Sequence, residues 1–204
     1  MKLRRLRPLA FALLAGIALV AVSFAGTAAG GNQGFRWDII SVNFATGTLS
    51  AGGQASARAN DNSKITMTGS GTFVQGEDDE VTGGGTWTTF NPSDTLTGSG
   101  TYRVTGLVSF TLAPGTPPLP NDNIGNRADN RAGLAILTIV YSDRSKGTLV
   151  VSCHLVGTSD AVFEGITATK GFVDYWNREA PPTPPGDANR TTFHIIAENG
   201  DEDD

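Results

Sequence analysis

Few residues in this chain are able to carry protons or hold metals. Its 204 residues include one cysteine, Cys153, and two histidines, His154 and His194. Chain neighbours on a strand point to opposite faces, so Cys153 and His154 make a poor thiolate–imidazole pair. The two histidines could meet across paired strands and recruit Glu164 or Asp174. A zinc site uses three or four ligands, however, and no spacing here assembles them. The expectation is two strand histidines held by hydrogen bonds, with no metal and no cofactor. Glu164 and Asp174 flank aromatic-rich strands, where carboxyls about 5–9 Å apart would suit glycosyl chemistry. Together with His154 they are the proton carriers to weigh if the chain is an enzyme. Residues 77–80, Glu-Asp-Asp-Glu, and the set Asn121, Asp122, Asn123, Asn126, Asp129 and Asn130 could gather a cation. Solvated turns and local Asx bonds account for both without one. No GxSxG, HExxH or SxxK motif occurs, so no catalytic residue is assigned.

Gly-x-Gly occurs three times in a repeat. Thr68-Gly-Ser-Gly-Thr-Phe73 returns as Thr82-Gly-Gly-Gly-Thr-Trp87 and as Thr97-Gly-Ser-Gly-Thr-Tyr102. A phosphate-binding loop would need a helix after the glycines and a lysine at a set position, and neither is present. The period fits a strand plus a short turn, which predicts three successive antiparallel strands with residues 76–80 and 91–94 as turns. Paired glycines bare the backbone, so a ring can lie across it or the sheet can bend. Such curvature favours closure into a barrel, although a β-sandwich fits the alternation equally.

The elements that must position these residues are strands. Period-two alternation runs through the chain, with Thr, Val, Ile and aromatics set between Gly, Asn, Asp and Pro clusters. Residues 101–112 place Tyr102, Val104, Val108, Phe110 and Leu112 on one face. Residues 134–141 and 148–156 read as a buried hairpin. Residues 35–44 form a strand whose apolar face shifts between Ile39 and Ile40, which predicts a bulge. Weaker strands are 49–59, 163–176 with a break at Gly171, and 191–197. Two Pro- and Asn-rich stretches, 113–132 and 178–190, are loops long enough to rim a ligand mouth. Trp37, Trp87, Tyr102, Phe110 and Trp176 lie on strands. Inside a barrel they would line an apolar pocket, with His154 as a polar contact. In a sandwich the same rings would fill the core.

The first segment has the order of a secretory signal peptide: Lys2, Arg4, Arg5 and Arg7, an apolar run to about Ala25, then small residues to Ala29. A retained anchor is the alternative. Four of the 15 basic residues lie in this segment and all 20 acids lie beyond it, so a chain cut after Ala29 carries a formal charge of −9. A body this acidic repels phosphate backbones, so nucleic acid is not an expected partner. No membrane partner is expected after cleavage. The organisation read from the sequence is a signal peptide over 1–29, an antiparallel domain over 30–197 and an acidic disordered tail over 198–204.

The Thr-Gly-x-Gly-Thr-aromatic strands with short turns, over residues 63–112, resemble small secreted barrels related to allene oxide cyclase and dirigent proteins. That resemblance implies an antiparallel barrel of about eight strands with a central apolar cavity. It also implies hydrophobic, oxygenated small molecules as ligands. None of the active-site residues of those families aligns here. The chain is also similar to exported bacterial β-proteins, which implies a compartment alone. The expected fold is all-β: a single antiparallel domain whose Gly-rich meander closes into a barrel of about eight strands. The expected function is an exported, non-catalytic protein that binds a hydrophobic or aromatic small molecule in its cavity. The alternatives are a cyclase- or isomerase-like enzyme in the same barrel and a surface adhesion or partner-binding module using the two long loops.

Overall fold

A computed structural model describes residues 33–182 and 186–196. The expected signal segment and acidic tail lie outside these residues. The described chain is all-β, and no α-helix occurs among the described residues. Its strands are β1 (Gly34–Asn43), β2 (Thr48–Ala51), β3 (Ala55–Arg58), β4 (Lys64–Met67), β5 (Ser70–Val74), β6 (Glu77–Val81), β7 (Gly84–Phe90) and β8 (Leu96–Ala113). There follow β9 (Asn121–Asp122), β10 (Asn130–Tyr141), β11 (Lys146–Cys153), β12 (Gly165–Lys170), β13 (Val173–Tyr175), β14 (Asn177–Arg178) and β15 (Arg190–Ile196).

Six of these strands close a ring. In order they are β1, β5, β7, β8, β10 and β15, and every pairing around the ring is antiparallel. The barrel expected from the sequence is therefore present, with six strands in the ring rather than eight. The remaining strands extend outside it. β11, β12 and β13 continue from β10, while β4, β3 and β14 continue from β7. Strand β8 spans 18 residues because it serves two partners, β7 along its first half and β10 along its second.

Alternation along the ring strands sends aromatic side chains inward. Phe35, Phe73, Phe110 and Phe193 come from four different ring strands and touch one another at centroid distances of 4.6–6.4 Å. In a barrel this small, side chains fill the interior. The apolar core continues without interruption to Ile65 and Met67 on β4, Leu149 and Val151 on β11, and Ile166 on β12.

The glycine repeat performs two tasks. At the crossing of the first two copies, backbones touch: a Cβ at Gly71 would sit 2.2 Å from the carbonyl oxygen of Thr82, and one at Gly85 would sit 2.0 Å from that of Thr68. The indole of Trp37 lies over the same crossing, and a Cβ at Gly83 would meet its ring at 3.1 Å. Trp87 lies likewise across Gly98 and Gly100 of β8. The Thr side chains of the repeat point outward and pair, Thr68 with Thr86 and Thr72 with Thr82, both at 2.7 Å.

The first two copies of the repeat are antiparallel neighbours, as expected: Ser70 lies opposite Gly84, and backbone bonds join Thr68 to Thr86 and Thr82 to Thr72. Along its other edge the first copy pairs with β1 through β5. Three other local expectations are corrected. Residues 77–81 are not a turn but strand β6, because the chain reverses earlier, at Gly76 with φ +95°. On β8, Val108 and Leu112 are exposed and Leu107 is buried. Register shifts against β10 skip Thr105 and Val108; the first turns Leu107 inward and the second restores the original face at Phe110. The bulge expected between Ile39 and Ile40 is absent, since β1 pairs with β15 in unbroken register across both. Both isoleucines are buried because β1 is covered on both sides.

Candidate functional site

The second cover on β1 explains the site. Phe35, Trp37 and Ile39 face the barrel interior, whereas Asp38, Ile40 and Val42 face out. Ile40 and Val42 pack with Leu49 of β2 and with Leu119 and Ile124 from the segment between β8 and β10. That segment is anchored as β9, which runs parallel to β2, and by a bridge between Thr116 and Val156. Asp187, from the Pro-rich stretch, is tied down beside it, accepting from the Ser41 hydroxyl at 3.0 Å and from the Val42 N–H.

Between β1, β2, β15 and this cover lies a pocket of about 270 Å³. Its apolar walls are Ile40, Val42, Leu49, Pro118, Leu119 and Leu155. Polar groups also line it, among them Glu164, His154, Asn130 and Arg190. Both long loops foreseen in the sequence therefore border it.

Glu164 sits just before β12, and His154 just after β11 rather than within it. The Glu164 carboxylate accepts the N–H of His154 and the N–H of Thr191, each at 2.6 Å. One side chain thus joins the ends of β11, β12 and β15. Burial pushes its carboxyl up to about 7, against the opposing pull of those two N–H groups and of Arg190 and Arg178. The His154 ring donates from Nδ1 to the Val162 carbonyl at 2.8 Å, since a carbonyl can only accept. Nε2 of the neutral ring is then the acceptor. Asn130, first residue of β10, is 2% exposed, and its Oδ1 has no hydrogen-bond partner among the described residues. Arg190 donates from Nε to the Gly186 carbonyl and lays its guanidinium over the Phe44 ring at 4.8 Å.

A second polar group is buried further along the same outer face. Asp38 is fully buried and takes both ends of a bidentate pair from Arg36 at 2.8 Å. Burial still pushes its carboxyl upward. His194 bonds through Nε2 to Asp122 at 2.7 Å. Burial opposes ionisation of Asp122, but His194 and the N–H groups of Ile124 and Gly125 outweigh it and hold the carboxyl below the ordinary range. Among the described residues, no group of three or more His, Cys, Asp or Glu side chains is placed to hold a metal ion.

The six candidate binding residues fall in three places. Trp37, Trp87, Tyr102 and Phe110 are buried in the main core, with Tyr102 donating its hydroxyl to the Thr68 carbonyl. His154 lines the outer pocket. Trp176 is 58% exposed and borders a separate shallow groove with Phe172 and Asp174. Of the three proton carriers considered, Glu164 and His154 are brought together and Asp174 is not. Cys153 is fully buried in the core with its thiol pushed well up by desolvation, so it faces no substrate. Sequence reasoning missed Asn130, Arg190, Leu49 and Leu119 as pocket residues. Asn130 carried one signal: it is a polar residue at the head of a strand whose middle, from Ala132 to Leu137, is apolar, in a run read only as turn-forming.

Fold and site together define a six-stranded antiparallel barrel whose pocket lies on its outer wall. Comparison of the chain with protein-family models, curated proteins and solved structures finds no match.

Proposed function

We propose that this is an exported protein that binds a small hydrophobic molecule without transforming it, in the pocket on the outer wall of the barrel. The observation that carries this reading is the pocket itself, about 270 Å³ of largely apolar lining with a few polar groups gathered at one side. Small-molecule sites have this composition, at sizes from roughly 300 Å³ upward. The rings inside the barrel are in mutual contact, which favours the outer site over the interior for a ligand. Export rests on the order of charges, apolar run and small residues over positions 1–29.

A second reading, proton transfer in a cyclase- or isomerase-like reaction, draws on Glu164, whose carboxyl at about 7 would suit a general acid or base. Both of its oxygens already hold backbone N–H groups, which favours a fastening role. The test is titration of the purified protein with the neutral dye N-phenyl-1-naphthylamine. One dye per chain is expected, and Leu49→Trp, which fills the pocket, is expected to abolish the enhancement. Undiminished binding by Leu49→Trp would move the site elsewhere.

A further inference from the structure

We infer that the molecule taken by the outer pocket bears a neutral hydrogen-bond donor, a hydroxyl in the first instance, directed at Asn130. This rests on the pocket reading above and specifies the chemistry of its occupant. Beside the donors of Arg190, three of the polar side chains at the pocket offer acceptors. Asn130 Oδ1 is buried and has no partner among the described residues. His154 spends its Nδ1 proton on the Val162 carbonyl, so Nε2 offers a lone pair. Glu164 accepts one N–H on each oxygen and, when ionised, keeps the second lone pair of each. A buried acceptor without a donor is costly, and an occupant that supplies the donor removes that cost.

The charges then select among donors. Arg190 lines the same pocket, and Arg178 acts on Glu164 as well, so an ammonium group would face two guanidinium charges. A carboxylate would find Arg190, but it would also be set against three acceptors. A hydroxyl meets the acceptors and brings no charge. Its apolar remainder lies against Ile40, Leu49 and Leu119. In the other direction, a molecule that only accepts hydrogen bonds leaves Asn130 as it was.

The experiment compares 1-naphthol, 1-methoxynaphthalene and 1-naphthoate by calorimetric titration of the purified protein. These share one ring system and differ in donor and charge. Binding of 1-naphthol at least tenfold tighter than the methyl ether is expected, with the naphthoate weaker than the naphthol. Asn130→Leu, which keeps the shape and removes the acceptor, is expected to bring naphthol and ether to within about threefold. Equal affinities for naphthol and ether in the wild-type protein would overturn the donor inference while leaving an apolar pocket in place. Binding of none of the three would overturn both. The wild-type comparison decides the matter even if Asn130→Leu does not fold.

Discussion

Strands β1 and β15 each present one face to the barrel interior and one to the outer wall, and the two faces have opposite characters. Inside, Phe35, Trp37 and Phe193 join a continuous apolar core. Outside, Asp38, Ile40, Thr192 and His194 combine apolar packing with buried polar groups. The inner face meets five other strands in a closed ring, so its contents are fixed by complementarity. The outer face meets loops, which can cover it in part and leave a pocket. The same backbone therefore carries stability on one side and a recognition surface on the other, and the alternation of β-strands keeps the two apart.

The largest effects are expected inside. Trp37→Ala removes the ring that lies over the glycine crossing, and a loss of about 3–5 kcal/mol is expected from denaturant unfolding. A loss under about 1 kcal/mol would mean that the interior is not the stabilising half. Glu164 gives the next effect, through pH. Its carboxyl titrates at about 7 in the folded chain against an ordinary 4.5, so the folded state holds the proton more tightly. That contribution is complete below pH 4.5 and is lost as the pH rises through 7. The loss is about 3 kcal/mol, and Asp38 adds in the same direction. Asp122 acts oppositely, because its carboxyl is lowered. Unfolding of wild type and Glu164→Gln, compared between pH 4.5 and 7.5, isolates the Glu164 part, and the variant is expected to show the flatter profile.

Smaller effects belong to the outer wall. Leu49→Trp is expected to cost less than about 1.5 kcal/mol, because the added ring enters existing space rather than a filled core. A cost equal to that of Trp37→Ala would erase the distinction between the two faces. Least of all, Thr72→Ala removes one exposed hydroxyl pair with Thr82 and is expected to cost about 0.2–1 kcal/mol.

How far the sequence reveals the molecule follows from the reach of its signals. Alternation is local, so Tyr102, Val104 and Phe110 could be read on one apolar face, and the glycine pairs could be read as seats for rings. Trp37 and Trp87 now occupy those seats. Strand number in the ring is not local. It depends on β8 dividing its length between β7 and β10, and on β15 returning to β1, and neither pairing leaves a mark in the residues. The two bulges on β8 show the same limit, since Leu107 and Val108 are equally apolar and only the partner strand decides which turns inward. Glu164 stood out as an acid beside an aromatic strand, but its burial depends on Thr191 and His154 arriving from distant segments. Ile40 beside Ile39 looked like a bulge because a second apolar layer, supplied by Leu119 and Ile124, lies some eighty residues away.

Ring closure by the first and last strands also governs the order in which the molecule can be completed. Seven consecutive pairs join β1 to β15, from Gly34 with Ile196 to Ile40 with Arg190. A polypeptide delivered N-terminus first must therefore keep one edge of β1 unmatched until about 150 further residues have emerged. An unmatched strand edge invites pairing with other chains. Truncation just ahead of residue 190 should accordingly produce a self-associating species, and a pause during delivery is most hazardous at that same point.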